Sequence, residues 1–348
     1  MDEVLFEVRG QAGIVRLNRP KALNALTINM VHLIDKQLHA WATDERVALV
    51  VIMGEGEKAF CAGGDIRALH DWGRAQDPRV IGFYADEYRL NTFIKEYPKP
   101  YISIMDGINM GGGVGLSVHG SRRIGTERLT FAMPETGIGL FPDVGGTFFL
   151  PRCPGELGLY LGLTGARLKA ADALYCGIVD DYVASADVDG LVDALARGVP
   201  VDEAVKAAAS DAGRAPLSAH RGEIDQHFCA DGVPGLLAGL EAAGEWGVGV
   251  AKIIEAKSPL SSFVAFRQIR EGARLSFREC MQLEFRLTNR FMAAPDFYEG
   301  VRAVVIDKDQ TPKWTPARFE DVTAAQVDAY FAPLGEGDLN FEQGVTSS

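Results

Sequence analysis

Twice within its first 120 residues this 348-residue chain places a run of β-branched residues ahead of a glycine cluster and then a helical pattern. VALVVIM (47–53) leads to AGGDI (62–66), and YISIM (101–105) leads to MGGGVG (110–115). A strand that is apolar along its whole length must be covered on both faces, which is the situation of a strand inside a parallel sheet. Parallel neighbours need crossovers, and helices usually supply them. The recurrence, at about 50 residues, therefore predicts a layered α/β core of βαβ type.

The flanking segments fit that core. Residues 3–18 read as two strands joined at Gly10–Gly13, a hairpin. Thr27 is placed to cap a helix whose Val31, Ile34, Leu38 and Trp41 fall at helical spacing. Residues 79–96 read as a further helix stopped by Pro98 and Pro100, and SRRIGTE (121–127) as another strand. Beyond about residue 185 the segments 186–212, 217–247 and 249–293 are rich in Ala, Leu and Glu with helical periodicity, and VRAVVID (301–307) reads as a helix end or a short strand. This divides the chain into an α/β core over 1–185 and a mainly helical region over 186–348 packed on it, with no low-complexity linker between them.

Composition narrows the classes of function. With 47% hydrophobic residues there is ample material for a large core. A net charge of −12 disfavours nucleic acid, whose phosphates need a basic footprint. The longest apolar run, residues 47–53, is far short of the roughly 20 residues that cross a bilayer. Five scattered cysteines, odd in number and without a CxxC, speak against a disulfide framework or zinc knuckle. The acidic, strand-like MDEVLFEVRG is unlike a signal or transit peptide. The expectation is a cytoplasmic, reduced protein with no membrane or nucleic-acid partner.

Three consecutive glycines at 111–113 are entropically expensive unless the backbone itself is needed. At a helix start they let amide N–H groups approach a ligand where the helix dipole favours negative charge. AGGD (62–65) sits in the same place after the preceding strand, so the two loops are able to aim two N–H groups at one oxygen, an oxyanion hole. Two plain strand-to-helix turns would look the same. A dinucleotide fingerprint fails, because Leu116 and Val118 stand where the third glycine belongs, and GxxxxGK[ST] is absent. GLSVH (115–119) resembles a nucleophile elbow but ends in His119 and puts Ser117 inside the helix. His119 reads as a satisfied histidine near a helix end. No histidine pair has metal-ligand spacing, so no catalytic metal is expected.

AMPETGIGLFPDVGG (132–146) is nearly all apolar or glycine, yet it carries Glu135 and Asp143. Two prolines and two glycines exclude a regular helix between them, which places both acids on an irregular loop. Asp143 is also positioned to cap the helix that follows, and Glu135 would pass as a loop glutamate were its neighbours not so apolar. If both face one apolar pocket they cannot both ionise cheaply, giving a base or nucleophile beside an acid. Opposite two N–H donors, such a pair suits attack on a polarised carbonyl or its conjugated alkene.

RPKALNAL (19–26), KAFCAGGDI (58–66), MGGGVGLSVHG (110–120) and AMPETGIGLFPDVGG resemble, in order, the hallmark stretches of the crotonase (enoyl-CoA hydratase/isomerase) superfamily over roughly residues 5–185. The resemblance implies a repeated ββα spiral core and an acyl-CoA thioester as substrate, with coenzyme A a part of that substrate and no separate cofactor. It implies that the amides of Gly64 and Gly112 form the oxyanion hole, and that the superfamily's habit of assembling into trimers extends to a homo-oligomer here. Within the superfamily the chain resembles the 3-hydroxyisobutyryl-CoA hydrolases of valine catabolism. Hydratases of the family carry a glutamate where this chain has Gly115, and a glycine where it has Asp143. FYEGVRAVVIDKDQTPKW (297–314) and ADEYRLN (85–91) also resemble the hydrolases, in which the residue matching Glu87 lies at the substrate. The implied catalytic pair is Glu135 and Asp143. Lys21 and Arg67 are implied as contacts to the CoA phosphates, a local basic mouth on an acidic protein. An enoyl-CoA hydratase or isomerase is the alternative, and a non-catalytic acyl-CoA binder a third reading that the carboxylate pair argues against.

Overall fold

The computed structural model describes residues 2–342 and 345. In chain order the elements are β1 (Val4–Arg9), β2 (Ala12–Leu17), α1 (Ile28–Thr43), β3 (Leu49–Gly54), β4 (Ala59–Cys61), α2 (Ile66–Arg74), α3 (Arg79–Lys95), β5 (Tyr101–Met105), β6 (Ile108–Met110), α4 (Gly112–Ser117), β7 (Arg122–Gly125), β8 (Thr130–Ala132), α5 (Gly146–Phe149), α6 (Leu157–Thr164), α7 (Ala170–Tyr175) and β9 (Asp181–Tyr182). Helices follow: α8 (Val188–Ala196), α9 (Val201–Ala208), α10 (Arg221–Phe228), α11 (Val233–Glu241), α12 (Gly244–Glu255), α13 (Pro259–Gly272), α14 (Phe277–Ala293), α15 (Asp296–Val301) and α16 (Ala324–Phe331).

β1 and β2 form the expected hairpin, and the larger sheet runs β1-β2-β3-β5-β7-β9, parallel from β2 onward. β3 and β5 are buried along almost their whole length, as their unbroken apolar sequence requires. Thr27 caps α1 by accepting the Met30 N–H. A second sheet, β4-β6-β8, is all parallel. Each of β3, β5 and β7 is followed by one strand of this small sheet, so the repeat is ββα, the crotonase fold. Residue-level reading missed the small sheet, because its three-residue strands carry no measurable period.

VRAVVID is not a strand: α15 runs into a π-helical turn over Arg302–Ile306. Beyond β9 no strand element occurs among the described residues. α14 packs against α3 and α5, and α15 against the turn that holds Glu135, so the C-terminal helices close over the loops of the small sheet.

Candidate active site

β4 ends at Cys61, and the loop that follows is clamped by RPKALNAL. The Leu26 N–H donates to Gly63 O (2.8 Å), and the Asp65 N–H donates to Leu26 O (2.9 Å). Arg19 ties the same two segments together through Ala25 O and Asp65 (3.3 Å). Asp65 then caps α2. The next repeat turns at Gly111, whose φ of +47° and ψ of −125° are open to glycine and few other residues. Gly112 opens α4, and its N–H is one that a helix leaves without an internal acceptor. The Gly64 N–H likewise has no backbone acceptor among the described residues.

A methyl group placed on Gly112 would lie 3.4 Å from Gly64 N and 2.5 Å from Glu87 Oε1. One placed on Gly111 would lie 3.6 Å from Glu135 Oε1. The two glycine loops, Glu87 and Glu135 therefore converge on one spot. Glu87 comes from α3. Glu135 comes from a 3-10 turn, Glu135–Ile138, entered from β8. Asp143 stands on the far side of that turn. The Tyr88 hydroxyl donates to Asp143 Oδ2 (2.8 Å) and accepts from the Thr288 hydroxyl (2.8 Å). Asp143 is not the helix cap: Gly145 takes that place, and the carboxylate points inward.

The electrostatics follow from burial. Glu87, Glu135, Asp143 and Glu284 are each at most 4% exposed. Glu135 Oε2 and Glu87 Oε1 are buried with no hydrogen-bond partner among the described residues. Burial, and then the nearby Asp143, holds the carboxyls of Glu135 and Glu87 well above the usual range. Burial raises Asp143 to about 7, restrained by the Tyr88 hydrogen bond. Asp143 thus receives from Tyr88 a donor hydrogen bond that favours its charged form and that Glu135 Oε2 and Glu87 Oε1 lack among the described residues.

Sequence reading missed Glu284. Its carboxylate accepts the N–H groups of Gly145 (2.8 Å) and Thr147 (2.9 Å) and so holds the loop that carries Asp143. Burial pushes it up to about 8. A signal was available: in α14, Cys280, Met281, Leu287, Thr288 and Phe291 form the buried stripe, and Glu284 falls at its centre. Gln268 Nε2 donates to Pro142 O (2.6 Å), and His119 Nε2–H donates to Val144 O (2.7 Å), which secures the same loop. His119 is therefore the satisfied histidine expected. Ser117 is buried inside α4 and donates to Gly113 O (2.8 Å), a structural hydroxyl.

Lys21 and Arg67 are exposed at the surface, and neither has an ion-pair partner among the described residues. Lys21 and Lys58 line an open cavity of about 350 Å³. A narrower apolar slot of about 160 Å³, lined by Leu26, Leu69, Trp72 and Phe83, reaches the Gly64 loop. Among the described residues no cluster of His, Cys, Asp and Glu is arranged to hold a metal, and no helix is long and apolar enough to cross a membrane.

Gly115 decides where a second acid can stand. A Cβ there would lie 2.7 Å from Asn91 Nδ2 and 2.9 Å from both Asn91 Oδ1 and Val144 Cβ. Asn91 is fully buried, so the position has no room for a side chain.

A crotonase fold with two converging amides opposite buried carboxyls defines a class of acyl-CoA enzymes, and residues 12–331 match the family described as enoyl-CoA hydratase/isomerase, to which this chain belongs. Among its relatives is the mitochondrial 3-hydroxyisobutyryl-CoA hydrolase of Xenopus tropicalis, 46% identical over 97% of this chain and 90% of its own. The Homo sapiens protein of the same name is 43% identical over 98% and 91%. Among solved structures, a carnitinyl-CoA dehydratase from Mycobacterium thermoresistibile has a TM-score of 0.94 and 41% identity, covering 98% of this chain and 99% of that one. An enoyl-CoA hydratase from Rhodobacter sphaeroides 2.4.1 has a TM-score of 0.91 and 41% identity, covering 97% and 100%.

Proposed function

We propose that the protein hydrolyses 3-hydroxyisobutyryl-CoA, a short 3-hydroxyacyl-CoA thioester, to 3-hydroxyisobutyrate and CoA, a step of valine breakdown. The observation that carries this reading is the placement of the second acid. It stands at Asp143, beside Glu135, and not at Gly115, where Asn91 fills the space a hydratase glutamate would need. The near full-length relatives named as hydrolases support the same reading.

In this mechanism the amides of Gly64 and Gly112 polarise the thioester carbonyl. Along one route a Glu135 oxygen bonds to the carbonyl carbon, the C–S bond breaks, and the CoA sulfur takes a proton from the carboxyl pair; water then cleaves the mixed anhydride. Along the other, Glu135 first gives its proton to Asp143 and then takes one from water as the water oxygen attacks the carbonyl carbon; the C–S bond breaks and the CoA sulfur takes a proton from the carboxyl pair. Asp143, whose charged form the Tyr88 hydroxyl favours, accepts the proton that Glu135 must first lose. Glu87, with an unpartnered oxygen, receives the substrate hydroxyl, and an analogue without that hydroxyl leaves it unsatisfied. Lys21 and Arg67 hold CoA phosphates at the mouth.

The chain is read as a core, 1–185, with a helical region, 186–348, packed on it; the hydrogen bonds from the Gly145 and Thr147 amides to Glu284 support that reading. No cofactor is required beyond the CoA of the substrate, so dialysed, chelator-treated protein should turn over fully. Five free cysteines suit a reducing compartment, here proposed as the cytoplasm although the named relatives are mitochondrial; cell fractionation checks it. Light scattering checks the homo-oligomer.

The alternative is an enoyl-CoA hydratase, favoured by the names of the two solved structures. One experiment separates them. Incubation with 3-hydroxyisobutyryl-CoA should release free thiol, while crotonyl-CoA should keep its enoyl absorbance. Hydration of crotonyl-CoA without thiol release from the hydroxyacyl substrate would overturn the hydrolase. Asp143→Gly should abolish thiol release.

A further inference from the structure

A cavity of about 220 Å³ lies at the other end of α4 from Gly112. At 1.5 Å rise per residue a helix of this length sets the two sites roughly 10 Å apart. Three cations line it: Lys95 from the end of α3, Arg123 from β7, and Arg152 just beyond α5. Arg123 is paired with Asp180 (2.5 and 3.0 Å) and also donates to Gly177 O. Arg152 lies 3.6 Å over the Phe148 ring and, among the described residues, donates only to neutral carbonyls, Phe148 O, Gly272 O and Leu275 O. Lys95 Nζ sits 5.4 Å from the same ring and has no hydrogen bond or ion pair among the described residues. Among the described residues three cations thus share one carboxylate around this hollow, Lys95 and Arg152 exposed at its mouth and Arg123 half-buried. The other polar walls are neutral: His119 is committed to Val144 O, and burial pushes the Cys153 thiol up to about 12 and that of Cys176 higher still.

Like charges gathered about a hollow repel unless something negative joins them. The ammonium of Lys95 reflects this: burial and the two guanidinium groups together hold it below its ordinary range. The excess of two positive charges matches a dianion. The Arg123 fork is already engaged by Asp180, so the donors offered to phosphoryl oxygens are Arg152 Nε, which makes no hydrogen bond among the described residues, and the mobile ammonium of Lys95. A carboxylate would neutralise half of the excess.

We propose that this cavity binds a small phosphoryl dianion, held by Lys95 and Arg152 with Arg123 at its edge. The ligand is either the free ion or the terminal phosphoryl group of a larger molecule. The site is separate from the thioester site and does not depend on the reaction assigned there.

Calorimetric titration of the full-length protein with inorganic phosphate, and separately with methyl phosphate, at constant ionic strength set with chloride, tests this. Saturable binding of one anion per chain is expected, weakened at least tenfold in Lys95→Gln and restored in Lys95→Arg. Lys21→Ala, at the proposed CoA mouth, should leave it unchanged. Phosphate should raise the melting temperature of the wild type and not that of Lys95→Gln. Tighter binding of methyl phosphate identifies the end of a larger molecule, and equal or weaker binding the free ion. Absence of saturable binding to either probe, binding unaffected by Lys95→Gln, or binding lost in Lys21→Ala instead, would overturn the proposal.

Discussion

Replacing Tyr88 with phenylalanine removes one oxygen from the centre of the site and leaves the ring in place. That oxygen donates to Asp143 Oδ2 at 2.8 Å, and both residues are buried. It favours the charged form of Asp143 and opposes burial, which raises the carboxyl to about 7. A hydrogen bond to a charged group is worth about 1.5–3 kcal/mol. At about 1.4 kcal/mol per pH unit, its loss should raise the ionisation of Asp143 by about one to two pH units. If the reaction needs the Asp143 carboxylate as proton acceptor, the rising limb of kcat against pH moves to the alkaline side by that amount, and much of the lost rate returns at high pH. The assay is thiol release from 3-hydroxyisobutyryl-CoA, followed with a chromogenic disulfide across the pH range in the wild type and Tyr88→Phe. A variant slower at every pH with its limb in the original place would refute the reasoning, since Tyr88 would then only pack.

Glu135→Gln should abolish turnover and raise the melting temperature at alkaline pH. The folded-state value of Glu135 lies well above its ordinary 4.5, so its stabilising contribution is complete below about that pH and is lost as pH rises through the folded value. Glutamine cannot ionise, so the two proteins should melt together near pH 5 and diverge upward from there; a less stable variant at pH 9 would contradict the burial argument. Gly115→Ala should lower stability in urea by about 1–3 kcal/mol by overpacking Asn91 and Val144, and Gly115→Glu should not confer crotonyl-CoA hydration. Arg67→Ala and Lys21→Ala should raise KM with kcat unchanged, and the wild-type KM should rise with salt; a salt-independent KM would remove both residues from the CoA contacts.

What the sequence discloses depends on how local the cause is. β3 and β5 are legible because an uninterrupted apolar strand has few other places to go, and the start of α1 because Thr27 needs only its own first turn to cap it. β4, β6 and β8 are not, since three residues show no alternation and their pairing comes from the neighbouring repeat. Glu135 and Asp143 betray themselves as acids in an apolar loop. Glu284 does not, because a glutamate in a helix is ordinarily a surface residue, and only its position on the buried stripe of α14 marks it. Tyr88 looks like any core aromatic until Asp143, 55 residues away in the chain, meets its hydroxyl.

The link between Glu284 and Gly145 spans 139 residues, and this has a bearing on how the enzyme comes into being. During synthesis the glycine leaves the ribosome long before the glutamate is added. Until α14 emerges and docks, the segment bearing Asp143 has no carboxylate beneath it to take its amides. A nascent protein can complete its sheets while the loop that bears Asp143 still lacks the carboxylate that holds it, which arrives only with α14.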